Sequence, residues 1–215
     1  MTILTSVMSF AQLKEGHISY DIEVSSDDED MAMAVMMFNG SSMDLYFSDD
    51  KARTEMDMGA MMSMSTLIDN ATGEVLILMG GMLGDKAVLT TSEEMKVNEE
   101  EEDTGYKVKL TKEKKTIAGY KCKKAIVTDS EGNEMEYWYT EDIKTISTDK
   151  KSAISQLPGL ALEYSTNQQG MQMLFTVTKV ETSLDKETIS TKFSMEIPEG
   201  YEEMTYEEFG SMGGM

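Results

Sequence analysis

Alternation of apolar and polar residues with a period of two is the feature that most constrains the fold of this chain. In the segment 16–24, the apolar residues Ile18, Tyr20, Ile22 and Val24 are separated by polar ones. Successive side chains of a β-strand point to opposite faces of a sheet, so this pattern is typical of a strand with one buried face. The alternation recurs along most of the chain and predicts a mainly β protein.

The segments that alternate predict about ten strands, one of them continuous over Lys115–Thr128, with two or three short helices between them. The 215 residues fit one domain. We expect a single curved antiparallel sheet, partly wrapped around an apolar helix at Met31–Phe38. Ser26 and Glu29 precede that helix with the spacing of a capping box, and eight successive apolar residues predict that it is buried.

The end of the chain predicts one further strand and one further helix. The segment 187–197 alternates and is predicted to be a strand. Thr205 and Glu208 have capping-box spacing and predict a short terminal helix. The domain is expected to span residues 12–209, followed by a disordered tail at 210–215.

The charge of the chain argues against several classes of partner. It carries 19 basic and 40 acidic residues, for a formal net charge of −21. Phosphate binding needs clustered Lys and Arg, so nucleic acid is not an expected partner. Anionic membrane surfaces are disfavoured for the same reason. The sequence does not set the oligomeric state.

The residues needed for common catalytic sites are scarce. Cys122 is the one cysteine and His17 the one histidine, so no internal disulfide forms and few nucleophile–base pairs are available. The phosphate-binding and nucleophile-elbow glycine motifs are absent from the sequence. We therefore expect a protein that is not an enzyme and that needs no cofactor.

The first eleven residues have the pattern of an export signal. Residues 1–11 carry no charge and end in Ser9-Phe10-Ala11, with small residues where a signal peptidase cleaves. The alternative is a short terminal strand. As a signal remnant, residues 1–11 predict a periplasmic or secreted protein. The segment is too short to span a bilayer, which takes about 20 apolar residues.

Methionine is unusually frequent, with 22 residues in the chain. Met side chains are flexible and polarizable, and they suit surfaces that accept varied apolar shapes. Strand parity places several of them on one sheet face, and the apolar helix and a later strand add others. The candidate lining of a hydrophobic cavity is therefore Met31, Val35, Phe38, Met56, Met58, Met62, Met64, Met171 and Met173.

Other interpretations of these features remain open. Thioethers prefer Cu(I), so the Met-x-Met pairs also suit soft-metal sequestration. Calcium at Asp27–Asp30 or Glu99–Glu102 is disfavoured, because neither run has the required spacing with a turn glycine. A structural module that presents a sheet edge to a protein partner is a further alternative.

The second half of the chain resembles an uncharacterised family of secreted Bacteroidetes proteins. Four short motifs carry the resemblance, in the same order as in that family: Thr116–Ala125, Trp138–Ile143, Leu157–Leu160 followed by Leu162-Glu163, and Pro198–Tyr201. They cover roughly residues 105–205. The first half resembles the family only by its pattern.

The resemblance implies the fold of the periplasmic lipoprotein carriers, which is called LolA-like. This fold is an open antiparallel half-barrel whose one or two short helices close a hydrophobic cavity. It implies a periplasmic or surface location and a lipid-like ligand, and it carries over no catalytic residue. The carriers control their cavity with an arginine that has no match here, since Arg53 is the only arginine.

Overall fold

The structure, a computed structural model, describes residues 13–59, 61–82, 84–98, 106–143, 153–168 and 170–212. The predicted signal remnant at 1–11 and the acidic run Glu99–Glu102 lie outside these residues. Within the described ranges, no helix combines the length and the apolar character that crossing a membrane requires.

Twelve strands account for most of the described residues. Their bounds are β1 Glu15–Ser25, β2 Ser42–Ser48, β3 Lys51–Asp57, β4 Met62–Asp69, β5 Glu74–Gly81, β6 Lys86–Thr91, β7 Lys107–Ile117, β8 Tyr120–Thr128, β9 Glu134–Thr140, β10 Leu160–Gln168, β11 Met171–Glu181 and β12 Glu202–Met204. The α-helices are all short: α1 Ala32–Met37, α2 Ser92–Asn98, α3 Lys186–Lys192 and α4 Tyr206–Ser211.

All twelve strands belong to one open, curved sheet, which confirms the predicted fold class. The strand order is β12-β6-β5-β4-β3-β2-β1-β11-β10-β9-β8-β7. Every neighbouring pair is antiparallel except the short β12, which lies parallel to β6. The pairing of β1 with β11 lies in the middle of the sheet. It joins an N-terminal half, formed by β1–β6 with the short β12, to a later half formed by β7–β11.

The apolar helix is placed differently from the prediction. Asp28, rather than Ser26, caps a short 3₁₀ turn that precedes α1, by accepting a hydrogen bond from the backbone N–H of Asp30. The helix has six residues and links the ends of β1 and β2, so the sheet does not surround it. Met33 and Met36 are 76% and 77% exposed. The prediction of a buried helix is therefore wrong.

Two other segments differ from the predicted elements. Ala118 and Gly119, both with positive φ, form a tight turn between β7 and β8 where one continuous strand was predicted. The predicted strand at 187–197 is largely α3, because the Asp185 carboxylate accepts from the backbone N–H of Thr188 and caps a helix. The terminal helix α4 has the predicted capping box and extends to Ser211, beyond the expected domain end.

The C-terminal segment covers both faces of the N-terminal half. Phe193, at the end of α3, packs on one face against Leu67 and Leu76. The chain then passes around the β6 edge as β12. Phe209 of α4 packs on the other face against Val75 and Val88. The largest core cluster lies in the later half of the sheet and includes the buried Tyr137, Tyr164 and Phe175.

Candidate functional site

Four methionines form a row across four adjacent strands. Met43 of β2 lies opposite Met56 of β3, Met56 opposite Met64 of β4, and Met64 opposite Met79 of β5. Cross-strand partners share a sheet face, and neighbouring strands are about 4.8 Å apart. We call the face that carries this row the Met face. Two of its members, Met56 and Met64, were predicted.

The Met row connects two separate parts of the core. Met43 and Met56 pack against the large cluster of the later half. Met64 and Met79 pack against the cluster beneath Phe209. All four side chains are only partly buried. The row is therefore an apolar strip between two solid cores, built from side chains that can change rotamer at low cost.

Met58 and Met62 continue the Met face at the end of the β3–β4 hairpin. The backbone N–H of Met58 donates to the carbonyl of Met62 over 2.9 Å. Met62 is 36% exposed, and Met58 packs at the margin of the large cluster. Gly59 is needed in this turn, because a Cβ at this position would lie 2.7 Å from the carbonyl oxygen of Met37. The φ of Gly59 is also +63°, which favours glycine.

The other predicted residues lie in two places. Val35 and Phe38 line a cleft of about 510 Å³ between α1 and residues 21–24 of β1. Met31 is half-buried and directly precedes α1. Met173 is buried in the large cluster, and Met171 is half-buried at the beginning of β11.

An exposed rim of methionines at one end of the sheet contains the predicted Met62 and four methionines that were not predicted as part of the site. Met33, Met36 and Met37 of α1 are exposed, and so are Met62 and Met82 in the hairpins beside them. Met82 is 79% exposed. Large exposed apolar groups in one region mark surfaces that bind a partner or ligand. The run of Met in 31–37 was the available signal, but it was assigned to a buried helix.

The opposite face of the same strands carries polar side chains beside the buried cluster of Phe193, Leu67 and Leu76, and we call it the His17 face. Arg53 lies there, with its Nε 2.7 Å from Glu55 Oε1 and its Nη1 donating to the carbonyl of Lys192 over 3.3 Å. The Lys192 ammonium is 2.7 Å from the same glutamate. The only arginine therefore holds the C-terminal segment on the sheet and lies on the face opposite the Met row.

His17 and Cys122 have separate partners. His17 Nδ1 lies 2.8 Å from Glu181 Oε2, and its Nε2 lies 2.6 Å from Asp44 Oδ1. The buried Cys122 thiol contacts the carbonyl of Tyr120, and burial raises its pKa. A nucleophilic cysteine needs a lowered pKa and an adjacent base, so this thiol has the properties of a core residue.

The acidic residues do not converge on a metal site in the described ranges. Within them, no group of three His, Cys, Asp or Glu side chains is arranged to hold an ion. In the first acidic run, the carboxylate of Asp28 serves as a helix cap.

Comparisons with known proteins identify a family and several solved structures of low similarity. The family model of a domain of unknown function, DUF4412, matches residues 29–201. No curated protein matches the sequence. Similar structures include PNGF-II, with 17% identity over 92% of this chain and 32% of that one, at a TM-score of 0.46.

Two further structures have the same low level of similarity. MucB is 12% identical, with coverage of 89% of this chain and 61% of MucB, and a TM-score of 0.44. A LolA superfamily protein from Nitrosomonas europaea is 9% identical, with coverage of 84% and 91% and a TM-score of 0.26. The chain thus spans about a third of PNGF-II and less than two thirds of MucB.

Proposed function

We propose that this chain, which belongs to the DUF4412 family of domains of unknown function, is a non-catalytic binding protein for a lipid-like ligand. The ligand would lie along the Met face. The row formed by Met43, Met56, Met64 and Met79 is the observation that carries this proposal.

The Met face has the properties that a varied apolar ligand requires. Ligand sites are mostly apolar surfaces with a few polar groups at their margins. The Met row supplies an apolar strip across four strands, and the exposed rim at Met36 and Met82 extends it to the surface. Unbranched thioether side chains can repack around different chain lengths, which a rigid Leu or Val surface does less well.

Action outside the cytoplasm is a further part of the proposal. The uncharged residues 1–11, which end in Ser9-Phe10-Ala11, support it. Fractionation of cells that produce the protein tests it, because an exported chain is recovered from the periplasm or medium and its first residue is then Gln12. Recovery of the chain in the cytoplasm with residues 1–11 intact would contradict this part.

The ligand proposal is tested by native mass spectrometry and by titration with a fluorescent long-chain fatty acid. We expect co-purified lipid and saturable binding of the probe. The double variant Met58→Asp with Met62→Asp introduces two charges at the end of the Met face and should weaken binding at least tenfold. A second variant, Met36→Asp with Met82→Asp, changes only exposed rim residues and should weaken binding while folding is preserved.

A matched control is available on the His17 face. Leu89 is 54% exposed and lies opposite Leu76, so Leu89→Asp removes an exposed apolar side chain from the other side of the sheet. This variant should bind the probe as the wild type does. Unchanged binding in both folded Met double variants, or equal loss in Leu89→Asp, would refute a ligand site on the Met face.

Cu(I) sequestration is the second candidate, and the register of the Met row favours it. Thioethers are soft ligands that select Cu(I), and four of them lie on successive strands. Titration with Cu(I) in competition with a chromophoric chelator separates the two candidates. Tight uptake of one copper ion by a protein that carries no lipid would reverse their order.

A further inference from the structure

The strand β7 forms an open edge of the sheet. Among the described residues it pairs only with β8, so its outer row of backbone N–H and C=O groups has no strand partner. Eleven residues give this edge a length of about 37 Å. An unpaired edge of this length is a template for the addition of another strand.

The β7–β8 hairpin, residues 107–128, is strongly basic in an acidic protein. It contains eight of the eighteen lysines of the chain and a single acidic residue, Glu113, so its formal charge is +7. The chain as a whole has a formal charge of −21. Positive charge is therefore concentrated at one edge of the sheet rather than spread over the surface.

Most of these lysines have no acidic partner. Lys115, Lys123 and Lys124 form ion pairs with Glu163 of β10, Glu141 directly after β9, and Glu136 of β9. The remaining five are exposed, and none forms an ion pair with another described residue: Lys107, Lys109, Lys112, Lys114 and Lys121. Four of those five lie on the edge strand itself.

The lysines flank the edge on both faces of the sheet. Lys114 lies opposite Lys123, on the same face of the sheet as Val108. Lys109 lies opposite Ile126, on the reverse face. The register shifts by two residues between Leu110 and Lys114, so the alternation of faces along β7 is kept. Side chains of an added strand would lie about 5 Å from those of β7, within reach of the ammonium groups.

From this geometry we propose that β7 is a docking edge for an extended acidic segment of a protein partner. The segment would add to the sheet as a thirteenth strand. Main-chain hydrogen bonds to the open edge would supply affinity, and its carboxylates would pair with the free lysines. The proposal concerns a surface distinct from the Met face and does not depend on the lipid-like ligand.

Other occupants fit this edge less well. A second copy of β7 would place lysines opposite lysines, and like charges in direct opposition destabilise strand pairs. Nucleic acids and anionic membranes extend far beyond the hairpin and would meet the field of a −21 chain. They also cannot form backbone ladder bonds. Lysines also protect edge strands against aggregation, and that simpler role is the competing explanation.

The test uses a capped synthetic peptide of six Glu-Val repeats and the ¹⁵N-labelled full chain. We expect saturable binding that weakens with salt, and slower hydrogen exchange of the β7 amides that face outward. The slower exchange separates strand addition from charge attraction alone. The double variant Lys109→Glu with Lys112→Glu should weaken binding at least tenfold.

A matched control keeps the same change in charge at other sites. The variant Lys14→Glu with Lys186→Glu alters two exposed lysines outside the hairpin and should lose no more than twofold. Three results would each overturn the proposal: no peptide binding, equal loss in the two double variants, or binding without slower exchange of β7 amides. Equal or tighter binding of duplex DNA or phosphatidylglycerol vesicles at β7 would also overturn it, because the edge would then recognise polyanions in general.

Discussion

His17 stacks face to face on Tyr46 across the β1–β2 pair, with ring centroids 4.1 Å apart and ring planes 4° from parallel. The Lys192 ammonium lies 4.7 Å from the centroid of the same Tyr46 ring. Two carboxylates, from Asp44 and Glu181, contact the two nitrogens of the imidazole. The only histidine therefore links β1, β2 and β11, and Tyr46 connects it to the C-terminal segment.

Replacement of His17 should weaken this link. In His17→Gln, the amide cannot reach both carboxylates, and we expect a loss of about 1 kcal/mol in the free energy of unfolding. Urea unfolding followed by Trp138 fluorescence measures it. The hydrogen bond from His17 is also the main reason that the Glu181 pKa is lowered, so that pKa should rise toward its ordinary value in the variant.

Lys179→Gln is the control for this prediction. Lys179 is exposed and pairs with the same Glu181 over 3.1 Å. Exposed ion pairs contribute little, so this variant should change stability by less than about 0.5 kcal/mol. Equal losses in the two variants would show that the histidine has no special part in joining the strands.

Asp69 should make stability depend on pH in the acid range. The Lys51 ammonium, with the backbone N–H groups of Ala71 and Thr72, holds the pKa of this buried carboxyl below its ordinary value. A lowered folded-state pKa stabilises the protein above the unfolded value of about 4, and the gain is lost as pH falls through the folded value. Asp69→Asn should therefore cost about 2 kcal/mol at pH 7.

Denaturant unfolding at a series of pH values checks this prediction. The difference between wild type and Asp69→Asn should be largest at neutral pH and should shrink below about pH 4. Asp129→Asn alters a carboxylate in the β8–β9 turn whose pKa is also lowered, by Asn133, and should have a much smaller effect. A difference for Asp69→Asn that stays constant with pH would contradict the proposed origin of the stabilisation.

Gly159 should be intolerant of a larger residue. A Cβ at this position would lie 2.0 Å from the carbonyl oxygen of Thr140, and the backbone is fixed by the hydrogen bond from Leu160 N–H to the carbonyl of Ile143. We expect Gly159→Ala to cost about 3 kcal/mol, measured by thermal or urea unfolding.

Gly132→Ala separates this steric effect from backbone strain. Gly132 has a φ of +91°, and a Cβ there would meet nothing within 4 Å beyond its own chain neighbours, so only the strain of the left-handed region applies. Its cost should be about 1 kcal/mol. A Gly159→Ala protein as stable as Gly132→Ala would show that the chain around Thr140 can move aside.

Oxidation should distinguish the exposed rim of methionines from the core. With dilute peroxide, Met33, Met36 and Met82, which are more than three quarters exposed, should form sulfoxide first, and Met173, at 7%, should react last. Peptide mass spectrometry over a time course gives the order. Fast oxidation of Met173 would contradict the described packing. Partial oxidation of the rim should also weaken binding of the fatty-acid probe, because sulfoxides are polar.

The strand pattern of the N-terminal half was predictable because its alternation is nearly unbroken. Met56 and Met64 were assigned to one face from parity alone, and the register confirms that they lie opposite each other. Parity could not show that Met43 and Met79 complete the row. Their place depends on how β2 and β5 align with β3 and β4, and the turns set that alignment.

The errors arose where tertiary contacts outweigh local pattern. The apolar residues of α1 predicted a buried helix, but Met33 and Met36 face solvent and no residue of α1 is buried. The segment at 187–197 alternates like a strand, yet the Asp185 cap and the burial of Phe193 make its first part helical. The Asp185 cap spans only three residues and is local, but the packing of Phe193 against Leu67 and Leu76 cannot be seen in a local window of sequence.

The pairing of β1 with β11 has a consequence for how the protein folds. Residues such as Ile18 and Val180 meet in the centre of the sheet although more than 150 residues separate them along the chain. A nascent chain therefore cannot complete its central ladder until β11 has been made, more than 150 residues after β1. Contacts so distant in sequence slow folding, so the newly made chain should stay unfolded for a comparatively long time. The unfolded state is the one in which polypeptides pass through a narrow translocation channel.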